Sequence, residues 1–477
     1  MGGPAVTLEL ADIQGLVARG YGRLPAACYL IGRIEDPRRA RAWVGSMLAQ
    51  VTSADAHPET RALNLAFTAE GLRALGIPEE ALAGFSAEFL AGMTTEHRRR
   101  LLGDVGGSAP ERWHWGGPGG ERVDLLLALY AHGAAALSSL YEQQSAALRD
   151  GGIRLITTLD TAGDILGREH FGFRDGISQP RIEELSAHPP DPESVKAGEF
   201  VLGYLNEYGR LTPRPTLTAA ADPRGRLAPH EDRGRRDLGR NGSYLVFRQL
   251  DQDVAGFWRF CEEATRTQDG AVDARARLTL AAKLVGRWPS GAPLTLAPDA
   301  DDPALADANA FGYHHADPDG LRCPLGAHVR RSHPRDMLDP RPGSAASIAV
   351  GKRHRLLRRG RKYGPPVPEG DLFSAGEPTV RPGEERGLHF VCLVANLARQ
   401  FEFVQHTWCN NPRFAGLHED PDPLVSPDTP RGRAFTVQAE PVRRRYRDLP
   451  QFTSVRGGAY FFLPSLRLVR WLGELPD

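Results

Sequence analysis

Hydrophobic and polar positions alternate in a way that predicts a strand followed by a helix near the start of the chain. The apolar run over residues 27–34, within ACYLIGRI, predicts a buried strand. Asp36 follows as a favoured N-cap, and Pro37 suits the first helical position because the missing N–H of proline would have no partner there. The pattern therefore predicts a strand that leads directly into a capped helix.

A second unit of the same kind begins much later in the chain. The run GSYLVFRQL predicts a strand over 243–250, and Asp251 is the predicted cap of the next helix. In that helix Val254, Phe257 and Phe260 share one face. Two similar units favour an α+β protein made of two related domains, each a split β-α-β arrangement with helices packed on one face of an antiparallel sheet.

The predicted boundary between the two domains lies in a segment without hydrophobic periodicity. Residues 213–242 are rich in Pro, Gly, Arg and Asp, which is typical of an exposed linker or long loop. We therefore expect an N-terminal domain over 1–212, a linker over 213–242 and a C-terminal domain over 243–477.

Composition limits the classes of partner and the compartment. Lys and Arg total 59 and Asp and Glu total 59, so no net charge attracts nucleic acid. No apolar run approaches the roughly 18 residues of a membrane span, and the N-terminal stretch lacks the pattern of an export signal. The five cysteines form no CxxC or CxxCH pair, which argues against covalent haem attachment and thiolate zinc sites and favours a reducing compartment. A cytoplasmic protein without membrane or nucleic-acid partners is the expectation.

The segment HFGFRDGISQP, residues 170–180, has an unusual composition. Gly172 and Gly176 allow close approach of the backbone to a ligand, Phe171 and Phe173 add aromatic rings, and Asp175 lies between the glycines. The pattern suggests a carboxylate held at a ligand site.

Two further segments combine histidine or apolar residues with many arginines. LRCPLGAHVRRSHPRD contains His328, whose imidazole could bind a metal, together with Arg330, Arg331 and Arg335, which suit carboxylates or phosphates. RHRLLRRGRKYGPP, residues 353–366, could be a basic loop or a surface for a polyanion. Either segment alone is compatible with an ordinary solvated surface.

Taken together in this order, the segments resemble the dye-decolorising peroxidases, and in particular the larger bacterial branch with inserted loops. The Gly-x-x-Asp-Gly motif of that family matches residues 172–176, and its haem-ligand segment resembles CPLGAHVRRSHPRD. Its distal arginine matches Arg358, and its Gly-Leu-x-Phe strand matches residues 387–390. Similarity extends from about residue 10 to about residue 465, through LVGRWPSGAPL and RQFEFVQHTWCNNP.

The resemblance implies two ferredoxin-like domains with haem bound mainly by the C-terminal one. It implies one non-covalent haem b per chain, with His328 as the proximal iron ligand. It assigns Asp175 as the distal acid/base and Arg358 as the group that stabilises charge during O–O cleavage. Because an aspartate has a reference pKa of about 3.9, an acidic activity optimum is expected.

Other residues acquire roles from the same resemblance. The residues that would contact or enclose the cofactor are Phe173, Gly176, Leu388 and Phe390, and Arg330 and Arg335 would bind its propionates, with Arg331 facing solvent. The acidic partner of the ligand histidine is Asp422 in HEDPDPLV, with Glu402 in QFEFVQ as the rival.

The expected function is a peroxidase that reduces hydrogen peroxide and oxidises small organic donors, dye-like or phenolic. The alternative is a haem protein of the same fold that acts on or carries haem or iron without turning over peroxide. The joint presence of Asp175, Arg358 and His328 argues for the enzyme, because a carrier needs only the ligand. A homo-oligomer is compatible with the sequence.

Overall fold

The computed structural model describes residues 7–163, 167–186, 189–191, 193–373, 384–429 and 432–476. Within these residues, nine strands form one large antiparallel sheet. The first half of the chain supplies four of these strands and the second half supplies five. We number these strands β1 to β9. Their order across the sheet is β6-β8-β5-β9-β2-β3-β1-β4, and β7 also pairs with β8.

The first half supplies four strands and two long helices. The strands are β1 (Ala26–Ile34), β2 (Arg61–Phe67), β3 (Leu125–Ala131) and β4 (Ile153–Asp160). Helix α1 (Pro37–Met47) follows β1, and α2 (Ala134–Asp150) joins β3 to β4. Asp36 caps α1 by accepting a hydrogen bond from the Arg39 N–H, as predicted.

The second half repeats the strand order. Its strands are β5 (Ser243–Gln252), β6 (Leu357–Arg358), β7 (Arg361–Tyr363), β8 (Gly387–Val394) and β9 (Thr453–Leu463). Helices α3 (Val254–Glu263), α4 (Ala274–Val285) and α5 (His328–Ser332) lie between β5 and β6, and α6 (Leu466–Gly473) ends the chain. The remaining helices are Gly15–Ala18, Ala69–Ala74, Glu79–Leu82, Ala87–Ala91, Glu96–Leu102, Ala345–Lys352, Glu369–Phe373 and the π-helical segments Ala398–Glu402 and Val404–Cys409.

Both halves have the strand order of a split β-α-β unit, which confirms the predicted α+β class. The prediction gave each half its own antiparallel sheet, and in the structure these two sheets join edge to edge. The junction is narrow, because β9 and β2 pair only at Phe462 and Phe67 among the described residues. One apolar cluster covers one face of the combined sheet. It includes Trp43 of α1 and Leu148 of the neighbouring helix α2.

The predicted cap of α3 was wrong by two residues. Strand β5 continues to Gln252, because Asp251 and Gln252 still pair with β9. Asp253 is therefore the N-cap, and its carboxylate accepts a hydrogen bond from the Gly256 N–H. Asp251 instead forms an ion pair with Arg456.

The segment 213–242 is more structured than an exposed linker. It contains the three short antiparallel strands Thr216–Thr218, Ala228–Pro229 and Arg235–Asp237. Arg214 and Asp237 form a buried ion pair within it. The sequence did not predict this small sheet, because strands of two or three residues are too short to show a hydrophobic periodicity.

None of the helices in the described part of the chain is long and apolar enough to cross a membrane.

Candidate active site

One cavity of about 290 Å³ lies between the sheet of the second half and α5. Most of the residues that the sequence singled out line it, namely Phe173, Asp175, Gly176, His328, Arg335, Arg358, Leu388 and Phe390. Chain segments that are far apart in sequence therefore meet at a single concave site, which is typical of a ligand or cofactor pocket.

Asp175 and Arg358 form a direct contact inside this cavity. Arg358 Nη1 donates a hydrogen bond to Asp175 Oδ1 at 2.9 Å, and the Gly176 N–H donates to the same oxygen at 2.6 Å. Gly176 has φ of +84°, a conformation that favours glycine. Burial raises the pKa of Asp175, but the charge of Arg358 and these hydrogen bonds outweigh it, so the pKa lies below its ordinary value.

The sheet holds the residues around this pair. Strand β6 pairs with β8 so that Arg358 lies opposite Cys392, and the Arg358 N–H also donates to Gln179 Oε1 at 3.1 Å. Leu388 and Phe390 are two residues apart on β8 and so project to the same face of the sheet, where they line the cavity. A charged pair thus lies beside an apolar wall.

His328 begins α5 on another wall of the cavity. Its Nδ1 lies 2.9 Å from Asp422 Oδ2, and Asp422 Oδ1 accepts hydrogen bonds from the Leu424 and Val425 N–H groups at 2.9 and 3.0 Å. Burial raises the pKa of the Asp422 carboxyl, but the charge and hydrogen bond of the imidazole outweigh it and lower the pKa. Bonding at Nδ1 leaves Nε2 as the nitrogen with no hydrogen bond to any described residue.

The rival carboxylate, Glu402, lies elsewhere. It accepts hydrogen bonds from Arg98 Nη1 at 2.5 Å and from the Tyr460 hydroxyl at 2.8 Å. Of the two predicted partners, only Asp422 contacts the imidazole.

Arg330 is not at the cavity, which argues against its predicted contact with a propionate. Its guanidinium is fully buried and donates to Asp317 Oδ2 at 2.9 Å and to the Cys323 carbonyl at 2.6 Å. Residues two apart on a helix point about 200° apart, so Arg330 faces away from the side that carries His328. Arg331 is also buried and donates to the Trp408 carbonyl at 2.7 Å, so its predicted exposure to solvent was wrong.

Four of the arginines that line the cavity surround His333, and the sequence analysis had singled out only two of them. Besides Arg335 and Arg358, the group contains Arg287 and Arg355. Glu193 joins two of its members: Oε2 lies 2.8 Å from Arg355 Nη1, and Oε1 lies 3.2 Å from Arg335 Nη1. We call these four residues the arginine cluster. Arg355 lies in the basic run 353–366 and Arg287 in LVGRWPSGAPL, but neither stretch indicates which cation turns inward.

The charge balance of the arginine cluster can be compared with that of a haem. Among the described residues, the carboxylates in ion-pair contact with its four cations are Glu193 and Asp175. His333 adds no charge, because burial and the surrounding arginines hold its pKa well below the ordinary value. Two positive charges therefore remain for a dianionic group, and the imidazole offers Nε2 to a metal. The residues present fit a haem with two propionates.

No protein-family model matches the chain, but individual known proteins do. This chain is 31% identical to the dye-decolorizing peroxidase AauDyP1 of Auricularia auricula-judae, over 98% of this chain and 87% of that protein. It is 32% identical to a dye-decolorizing peroxidase of Exidia glandulosa, over 96% and 86%, and 30% identical to the multifunctional dye peroxidase DyP2 of an Amycolatopsis strain, over 98% and 97%.

Solved structures give the same result. The crystal structure of a fungal DyP-type peroxidase from Auricularia auricula-judae matches with a TM-score of 0.77 and 27% identity, covering 98% of this chain and all of that one. An ancestral D-type dye decolorizing peroxidase matches with a TM-score of 0.75 and 26% identity, covering 98% and 99%. The similarity thus extends over both halves of the chain.

Proposed function

The chain belongs to the dye-decolorizing peroxidase family, and from this membership we propose that it is a haem-dependent peroxidase that reduces hydrogen peroxide and oxidises organic donors, dyes or phenols. The observation that carries the proposal is the contact between Asp175 and Arg358 in a cavity that His328 also lines. An acid/base, a cation and a metal-binding imidazole in one pocket are the groups that peroxide cleavage requires.

His328 would hold the cofactor through Nε2. Bound haem would supply the iron-centred redox chemistry for O–O cleavage and for electron transfer from the donor. Asp422 accepts the Nδ1–H of His328, which orients the ring and increases its electron donation. Arg335, together with Arg287 and Arg355, would bind the propionates, and Phe173 and Gly176 would lie against the macrocycle.

Asp175 would move the proton of peroxide. Its carboxylate would accept a proton from one peroxide oxygen and return it to the departing oxygen, while the Arg358 guanidinium stabilises the negative charge on that oxygen. Leu388 and Phe390 would exclude water from this side of the cavity, which strengthens the electrostatic effect of Arg358.

The finer properties follow from the same proposal. We expect one non-covalent haem b per chain, held mainly by the domain 243–477, with 1–212 supplying Asp175 and 213–242 joining the two. The five cysteines are all free and buried, which favours a reducing compartment such as the cytoplasm. Peroxide and a small organic reductant are the proposed partners.

The test is rapid mixing of the haem-loaded protein with hydrogen peroxide, followed by absorbance. Wild-type protein should change its spectrum rapidly, and Asp175→Asn should react about 10²–10⁴-fold more slowly. Asp222→Asn is the control, because Asp222 is buried and pairs with Arg236, and neither residue lines the cavity. His328→Ala should lose the Soret band. A wild-type spectrum that peroxide leaves unchanged would instead support a haem carrier.

A further inference from the structure

Glu169, six residues before Asp175, makes a set of hydrogen bonds that the proposed mechanism does not use. Its side chain lines the same cavity. Oε1 accepts from the Phe173 N–H at 2.9 Å, and Oε2 accepts from the Phe171 N–H at 3.0 Å and from Gln252 Nε2 at 2.7 Å. One carboxylate therefore connects two points of the loop to strand β5.

The main chain of Glu169 closes the same turn. Its N–H donates to the Phe173 carbonyl at 2.9 Å, and its carbonyl accepts from the Gly172 N–H at 2.8 Å. Gly172 has φ of +99°, and a Cβ there would lie 3.0 Å from the Phe373 ring, so the turn requires glycine. Residues 169–173 thus form a compact turn that Glu169 bonds with both its backbone and its side chain.

Aromatic packing anchors this turn on its far side. Phe171 lies against Phe257 with ring centroids 4.6 Å apart, and Phe173 stacks on Trp258 at 6.4 Å. The N–H groups of Phe171 and Phe173 belong to buried residues, so an acceptor must replace the water they lose. The Glu169 carboxylate is that acceptor for both.

Asp175 itself has few restraints of its own. Among the described residues its side chain contacts the Gly176 N–H and Arg358, and half of it is accessible in the cavity. The direction in which it projects therefore depends on the backbone that precedes it. A displacement of about 1 Å in a reacting group can cost about 10²-fold in rate, so the base of this loop matters for the chemistry.

We propose that Glu169 is a positioning residue for the distal carboxylate: it holds the 169–173 turn against β5 so that Asp175 stays beside Arg358. This inference rests on the proposed function. Burial raises the pKa of Glu169 to about 7, although its three hydrogen bonds act to lower it, as expected for a carboxyl group held in the cavity wall.

Glu169→Ala and Glu169→Gln test the proposal with two measurements. The rate constant of the haem-loaded protein with hydrogen peroxide should fall about 10²-fold for Ala and less for Gln, which keeps one oxygen acceptor. The KM for an organic dye should stay within about twofold if Glu169 acts only on the step with peroxide. Hydrogen exchange of the peptide spanning 169–176 should become faster in the same order, with or without haem.

Asp222→Asn is the matched control. Asp222 is buried and likewise accepts two backbone N–H bonds, from Arg226 and Leu227 at 2.9 Å each, but it lies outside the cavity lining. This variant should leave the peroxide rate constant and the exchange of 169–176 unchanged.

The outcomes separate two failures. If wild-type protein reacts with peroxide and Glu169→Ala reacts equally fast, the positioning role is refuted and the proposed function stands. If wild-type protein is inert to peroxide, the proposed function fails, and the exchange of 169–176 alone decides whether Glu169 holds the turn. If Ala fails to fold, a Gln variant with unchanged rate and exchange refutes the role.

Discussion

Replacing Glu193 by glutamine would test whether the arginine cluster is arranged to hold a dianionic cofactor. Glu193 joins Arg335 and Arg355 at 3.2 and 2.8 Å and is one of two carboxylates in ion-pair contact with the cluster among the described residues. A glutamine keeps the shape and a hydrogen-bond acceptor but removes the charge. In protein without haem, the cluster would then lose half of its neutralising charge.

The expected magnitude follows from burial. Breaking a fully buried ion pair costs about 3–5 kcal/mol. The Glu193 side chain is 15% accessible, and Arg335 and Arg355 keep other acceptors, the Asn309 carbonyl at 2.7 Å and His333 Nε2 at 2.9 Å. We therefore expect a loss of about 2 kcal/mol in the free energy of unfolding of the haem-free protein.

Haem-loaded protein should lose less. The two propionates would bring negative charge to the same guanidiniums, so the loss should be about 1 kcal/mol. By linkage, a difference of about 1 kcal/mol means that the variant binds haem about fivefold more tightly than wild type.

Two measurements check this. Urea unfolding gives the stability of both forms, and titration of the haem-free protein with haem, followed at the Soret band, gives the affinity. Glu231→Gln is the control, because the Glu231 side chain is 55% accessible and its buried partner Arg214 keeps the ion pair with Asp237; its effect should be below about 1 kcal/mol in both forms. Equal losses of stability in the two forms, or weaker haem binding by the variant, would refute the reasoning.

The other predictions concern the fall of the peroxide rate at low pH, the pair of His328 and Asp422, and Arg330. The Arg358 charge keeps Asp175 ionised below the ordinary aspartate pKa, so the base is lost only as pH falls through the lowered value; Arg358→Leu should move the acid limb of the peroxide rate to higher pH, measured from about pH 3 to about pH 7. If the pH at which the peroxide rate falls were the same in Arg358→Leu as in wild type, this electrostatic explanation would be contradicted. Asp422→Asn should weaken haem binding about 10–100-fold, whereas Glu402→Gln should leave it unchanged in the same titration. Arg330→Met should destabilise the fold by about 3–5 kcal/mol in urea, because it leaves a buried carboxylate unpaired; a stable variant with reduced haem affinity would restore the propionate role.

Local features of this protein were determined by its sequence. Some features depend only on neighbours a few residues away. These are strand β1, the helix cap at Asp36 and the loop with glycines at 172 and 176. Short-range propensities and backbone freedom decide such features, so a single sequence is enough to predict them. The cap at Asp253 shows the limit, because pairing with a distant strand extended β5 past the residue that local pattern favoured.

Tertiary structure decided which charged side chains meet. The sequence offered Asp422 and Glu402 for one imidazole, and only the folded chain brings the former to His328. It offered Arg330 for the cavity, and the helix turned that residue away. Nor could it indicate that Arg287, Arg355 and Glu193 converge with Arg335.

The physical reason is that a charged side chain has nearly the same local preferences whether it faces water, a buried partner or a cofactor. Its environment is set by contacts between segments more than a hundred residues apart, as between Asp175 and Arg358. Chemistry can therefore be inferred from the kinds of residue in a motif. The partners that adjust this chemistry follow only from the packing of the whole chain.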